Sequence, residues 1–174
     1  MNKRIAVAIA ILCIISGCRP EAKVEHEDPK YLRWVGDIEP NPKIDNPDFK
    51  TCYSEEEIFQ YFNVGEGPQY SGEKTALLNE FNSKYKGITD NNQNGLIRIR
   101  FVVNCKGEAG RFRILQSDFG YNEAEFDQKI TSQLLEITKG ISKWTILYYD
   151  DVPSDYYIYL IFKIKNGHLT EILP

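Results

Sequence analysis

The chain is predicted to fold as an α+β domain, with an antiparallel sheet of three to four strands and helices packed on one face of it. Three observations predict this. Ile97, Ile99, Phe101 and Val103 alternate with Leu96, Arg98, Arg100 and Val102, the period of two expected of a strand with one face buried and one partly wet. Phe126, Ile130, Leu134, Ile137 and Ile141 step by four, four, three and four, the spacing of an apolar helix face. Tyr156, Ile158, Leu160, Phe162 and Ile164 alternate with Tyr157, Tyr159, Ile161 and Lys163; so few wet positions place this strand centrally in its sheet. With 174 residues, 42% hydrophobic and 13% aromatic, the chain can bury one ordinary core.

The N-terminus belongs to a different regime. Asn2-Lys3-Arg4 precedes eleven apolar residues, Ile5 to Ile15, and then Ser16, Gly17 and Cys18. A membrane-spanning helix takes about 20 apolar residues, so this run fits the core of a secretory signal peptide over residues 1–17. Ile15-Ser16-Gly17-Cys18 resembles the lipobox of bacterial lipoproteins, in which the cysteine is diacylated and becomes the new N-terminus. That resemblance implies lipidation at Cys18 and an address in the bacterial envelope. Arg19 follows the cysteine, where enterobacterial inner-membrane retention uses aspartate, so an outer-membrane anchor is expected, its face undetermined. Several acyl chains would hold such a protein stably, where one alone would not.

Residues 18–50 read as a flexible tether. The stretch contains Pro20, Pro29, Pro40, Pro42 and Pro47, many charges and no sustained periodicity. From Arg19 to Lys50 it would span about 30 Å as a coil. Tyr31, Leu32, Trp34 and Val35 interrupt its polarity and suit docking on the domain, with docking on a partner the alternative. The folded domain is expected over residues 51–174.

Within that domain Ser54 and Glu57 form a capping box opening a short helix through Ile58, Phe59, Tyr61 and Phe62. Gly65, Gly67 and Pro68 end it. Ser71 can cap a second helix, whose apolar face is Ala76, Leu77, Leu78, Phe81 and Tyr85, with Gly87 closing it. The strand at Gly95 leads through Asn104, Lys106, Gly107 and Gly110 into a second β-prone run with Phe112, Ile114 and Leu115, a hairpin with Cys105 at its turn. Asn122 with Glu125 is a capping-box analogue before the third helix, and Gly140 its stop. After Trp144 comes a polar loop through Asp150, Asp151, Pro153 and Asp155. The Tyr156 strand then turns at Asn166-Gly167, the strongest short hairpin signal, into a last strand from His168 to Leu173.

From Tyr70 to Ile164 this order resembles the C-terminal domain of the TonB family. The residues that carry the likeness are Tyr70-Ser71-Gly72-Glu73 before the Ala76-Leu77-Leu78 helix, the Ile97–Gly107 strand and turn, and Trp144 after a helix and before a last aromatic-aliphatic strand. The resemblance implies a fold, and a sheet edge able to accept a partner peptide as an added strand.

Of the four cysteines, Cys13 lies in the leader and Cys18 in the lipobox. Cys52 and Cys105 remain, an even pair in an oxidising compartment, and are expected to be bonded. Two buried free thiols are the open alternative.

Composition and motifs exclude more chemistry than they suggest. The formal charge is −4, and −6 once Lys3 and Arg4 are cut away, which leaves no footprint for nucleic acid. His26 and His168 are the two histidines, neither near a nucleophile in sequence. Asp90-Asn91-Asn92-Gln93-Asn94-Gly95 matches the first half of a calcium loop, but Phe101 stands where the closing glutamate belongs. No metal, cofactor or catalytic residue is therefore assigned. Tyr148, Tyr149, Tyr157 and Tyr159 are the candidate partner-binding residues, tyrosine being suited to partly polar recognition. The expected function is that of a non-enzymatic binding or structural lipoprotein with an envelope protein as partner. The alternative is a ligand-binding or enzymatic lipoprotein with a pocket between helix and sheet.

Overall fold

The computed structural model describes residues 38–61, 70–89, 92–142 and 144–173. The expected signal peptide at 1–17 and Cys18 lie outside them, as do Tyr31, Leu32, Trp34, Val35, Phe62, Gly65, Gly67, Pro68, Asp90 and Asn91. Among the described residues the regular elements, in chain order, are β1 (Phe59–Gln60), α1 (Glu73–Lys84), β2 (Gly95–Val103), β3 (Ala109–Ser117), α2 (Gln128–Lys139), β4 (Leu147–Tyr149), β5 (Val152–Ser154), β6 (Tyr156–Lys165) and β7 (His168–Leu173).

The sheet is built outward from β2 and β6. They run antiparallel from Gly95↔Ile164 to Val103↔Tyr156, which puts β6 at the centre as its lack of wet positions predicts. β3 returns along the other side of β2, and the hairpin turn is organised by Asn104. The Asn104 Oδ1 accepts the N–H groups of Lys106 and Glu108, each at 3.0 Å, while its Nδ2 donates to the Lys50 carbonyl. β6 is long enough that two strands share its remaining edge: β7 pairs antiparallel with its C-terminal half, and β1 pairs parallel with Tyr156 and Tyr157. The five-stranded sheet is thus mixed, and not antiparallel throughout as expected. The β6–β7 turn is the predicted one. Asn166 and Gly167 have φ of 50° and 76°, and a Cβ on Gly167 would lie 2.0 Å from the Ile88 carbonyl oxygen.

Register explains the core. Ile97, Ile99 and Phe101 face the helices beside Phe162, Leu160 and Ile158. Leu77 and Phe81 of α1 and Ile130, Leu134 and Ile137 of α2 close over them, with Phe81 and Phe162 4.8 Å apart between ring centres. Trp144 seals one end against Phe101 and Tyr70. The opposite sheet face, expected to be partly wet, is also covered. Arg98 and Arg100 are buried there, and Val102 and Tyr157 pack with Ile38 and Ile58.

Ile38 to Lys50 therefore do not belong to the tether assigned to 18–50. This strap lies on the sheet: Ile38 is buried, Phe49 sits so close to Gly110 that a Cβ there would meet its ring at 2.2 Å, and Asp45 holds Arg113 through two bonds of 2.6 and 3.0 Å. Asn41 and Asn46 each fold the strap locally by accepting the N–H two residues on.

Three helix expectations change. The Ser54–Glu57 capping box forms, but it opens only a single 3-10 turn, Glu55–Glu57. Phe59 then donates its N–H to the Asp155 carbonyl and enters β1, so tertiary pairing overrides the local helix signal. Gly72, with φ of 90°, caps α1 in place of Ser71. α2 starts at Asp127, whose side chain accepts the Lys129 N–H at 2.7 Å; Asn122 is instead engaged by Asp118. Phe126 precedes the helix because the 122–126 segment is held by β3: Ala124 N–H reaches the Gln116 carbonyl and Phe126 N–H reaches Gln116 Oε1. The polar loop expected from Asp150 to Asp155 is a hairpin of β4 and β5, turned by Asp150 and Asp151 with φ of 48° and 64°.

Candidate functional site

β3 is an edge strand, and its outward groups can be assigned from its neighbours. Ala124 N–H donates to Gln116 O at 3.3 Å from outside the sheet, so the even-numbered residues of this stretch turn their backbone groups away from β2. The C-terminal end of the edge is closed by that bond and by the Ser117↔Glu123 bridge. At Phe112 the carbonyl accepts from the Arg113 guanidinium at 2.9 Å. Between them, Ile114 turns its N–H and C=O outward, and no described residue bonds them.

A groove of about 680 Å³ runs beside this edge, walled by Ile44 of the strap, by Phe112 and Ile114 of β3 and by Leu135 and Lys139 of α2. Ile44 is 64% exposed, an unusual position for an isoleucine. The charges around the groove are already paired. Arg111 holds Glu55 through bonds of 2.5 and 2.7 Å, Arg113 holds Asp45, and Lys139 holds Glu136. The Arg113 guanidinium, bonded to Asp45, keeps that carboxyl below its ordinary value. What remains along the groove is a partly apolar wall of Ile44, Phe112, Ile114 and Leu135, set among polar residues such as Asn46, beside the outward backbone of Ile114, the chemistry an added strand uses.

The second feature is structural. Cys52 and Cys105 are bonded, with their Cα atoms 6.0 Å apart. Asp155 lies beneath the bridge, fully buried, and not in a solvated loop as expected. Its Oδ2 accepts the N–H groups of Cys52 and Tyr53 at 2.7 and 3.0 Å, and its Oδ1 accepts that of Cys105 at 2.7 Å. Cys52, Cys105 and Asp155 have the donor types of a metal site and lie within 4.8 Å of one another. Their sulfurs are bonded to each other and both carboxylate oxygens already accept backbone N–H groups, so the arrangement acts as a clamp between the 50s segment and the β2–β3 turn.

The four candidate tyrosines do not share a face. Tyr157 is buried at 2% exposure on the strap side of the sheet, where it completes a small core. Tyr159 is half-buried, edge-on to Tyr61 and under the Arg98 guanidinium. Tyr148 and Tyr149 are exposed, on β4. Tyr149 stacks on Phe59 with ring centres 4.6 Å apart, and the two line a small cleft with Tyr53 and Glu57. Sequence reasoning thus found two surface tyrosines and missed both the groove and the Asp155 clamp. The strap did leave a signal, the Asn-Pro pairs at 41–42 and 46–47, which mark two turns five residues apart.

Catalytic geometry does not emerge around the described histidine. His168 stands exposed at the start of β7, paired with Lys165 across the β6–β7 turn; His26 lies outside the described residues. Comparison with known protein families, curated proteins and solved structures finds no match to this chain.

Proposed function

We propose that this chain is a non-enzymatic lipoprotein of the bacterial envelope, lipidated at Cys18, that holds a protein partner by accepting an extended segment along the outer edge of β3. The observation that carries the reading is the outward backbone of Ile114, bonded by no described residue, beside a partly apolar groove. Edge strands are commonly blunted by charge, proline or a bulge, and β3 carries a bulge at Arg111 and Phe112, so the edge offered to a partner is the short stretch at Ile114. Here the neighbouring charges are paired away, and the groove offers Ile44, Phe112 and Leu135 to alternate side chains of an incoming strand. The partner segment is accordingly extended and apolar. The element order from α1 through β2, β3, α2 and β6, with Trp144 between the last two, supports the TonB-like reading of the architecture.

The alternative, a ligand pocket between helix and sheet, is not favoured at the centre of that interface, and the space that does lie between α2 and the sheet is the open groove at its β3 margin. Phe81, Leu134, Leu160 and Phe162, which face that space, are buried in one continuous core.

Crosslinking in intact cells tests the proposal. The native chain is expected to capture a reproducible envelope protein, and Ile44→Glu to lose it while keeping its melting temperature, since Ile44 is exposed. Cys18→Ala serves as the mislocalised control. Capture of no reproducible partner, or capture indifferent to Ile44→Glu, would sink the edge reading.

A further inference from the structure

The cleft under β4 and β5 is chemically unlike the groove at β3. It measures about 270 Å³ and is lined by three aromatic rings, Tyr53, Phe59 and Tyr149, together with the carboxylates Glu57 and Asp150. Small-molecule pockets commonly run about 300–1,000 Å³, so this one suits a single side chain better than a free metabolite. Phe59 and Tyr149 form a stacked pair with an interplanar angle of 27°, and Tyr149 remains 48% exposed. Glu57 is already fixed in place. Ser54 donates its N–H and its hydroxyl to Oε2, at 3.2 and 2.7 Å, and these bonds hold the carboxyl below its ordinary value. Both bonds fall on Oε2, so Oε1 is available to a ligand.

Charge singles out the occupant. No Lys or Arg occurs from Thr51 to Glu73 or from Thr145 to Phe162, the two stretches that supply every lining residue. Those same stretches carry Glu55, Glu56, Glu57, Asp150 and Asp151. Glu55 is taken by Arg111, but no salt bridge joins Glu57 or Asp150 to a described cation. Aromatic faces beside uncompensated carboxylates attract a cation of low hydration, and a guanidinium fits best because it can stack on a ring and bond a carboxylate at once.

We propose that this cleft is a binding site for an arginine side chain of a partner protein, with Tyr149 and Phe59 supplying the stacking surface and Glu57 and Asp150 the charge. It is separate from the β3 groove and does not depend on strand addition there.

The test titrates N-acetyl-arginine amide into the full chain in neutral detergent, with the aromatic rings labelled for NMR, and uses N-acetyl-citrulline amide as the uncharged match. The arginine probe is expected to give saturable shifts on Tyr53, Phe59 and Tyr149, and citrulline to give none at the same concentration. Tyr149→Ala and Glu57→Gln should each weaken binding by about three- to tenfold, while Phe119→Ala, an exposed ring outside the cleft, leaves it unchanged. Unmoved Phe81 and Phe162 resonances report that each variant is folded. An equal response to citrulline, shifts confined to other rings, or undiminished binding in the folded Glu57→Gln variant would overturn the proposal.

Discussion

At Asp155 a single carboxylate accepts three backbone N–H groups, two from the 50s segment and one from the β2–β3 turn, at points the disulfide also joins. Asparagine has the same shape but only one accepting oxygen, and its amide would face at least one N–H donor. Asp155→Asn is therefore expected to cost about 1–3 kcal/mol, the penalty of a buried unsatisfied donor, read from the urea midpoint. The Cys52→Ser/Cys105→Ser double variant releases a cross-link spanning 53 residues of sequence. Loop-closure entropy puts that loss at about 4 kcal/mol. Because both devices clamp the same two segments, combining the changes should cost less than the sum; strict additivity would show that they act independently. The pairing of Cys52 with Cys105 could be read by counting cysteines. Asp155 could not, because its partners Cys52 and Tyr53 lie 103 and 102 residues away and present backbone N–H groups, which leave no mark in a sequence.

Among the elements, the strap from Ile38 to Lys50 shows how a segment with no periodicity can still be ordered. It has one buried aliphatic residue, Ile38, one ring pressed onto Gly110 and one ion pair, Asp45–Arg113, so its contacts are spaced too widely to form a pattern. Its prolines and charges suggest mobility, whereas Asn41 and Asn46 use the same composition to make turns. The capping box at Ser54 was read correctly as a start, but the number of turns that followed was set by β6, which draws Phe59 and Gln60 into the sheet. β2, β3 and β6 were legible because their own alternation fixes which face is buried. For the strap, the sign of the acid response follows from Asp45. Its carboxyl is held below the ordinary 3.8 by Arg113, so the ionised form favours the docked strap above that range. That contribution is lost as pH falls through the lowered value, below about pH 4. Hydrogen-exchange protection across residues 38–50, corrected for the intrinsic exchange rate, should fall there in the native chain. In Asp45→Asn it should already be lower at neutral pH, with the ion pair's share of the pH dependence gone. Protection unchanged by Asp45→Asn would show that the ion pair does not hold the strap.

For the whole molecule, the sheet is covered by helices on one face and by the strap and 3-10 turn on the other, so both faces are spent on stability. What the described residues leave to a partner lies on the rim, which includes the β3 edge with its groove, the outer edge of β7 and the aromatic cleft under β4 and β5. The α+β class was legible from three periodic runs; the rim was not, since it is made where elements far apart in sequence end beside one another. The proposed anchor, Cys18, lies outside the described residues. Lipidation should then decide where the domain is held without deciding how it folds. Cys18→Ala is expected to move the protein from the membrane fraction to the soluble fraction and to abolish labelling by a palmitate analogue. Its urea midpoint should stay within about 0.5 kcal/mol of the native chain, as for surface changes remote from the core. A single acyl chain holds only marginally, so complete release is expected only if the cysteine carries every chain. Retention of the Cys18→Ala protein on membranes would show that something other than this lipid holds it there.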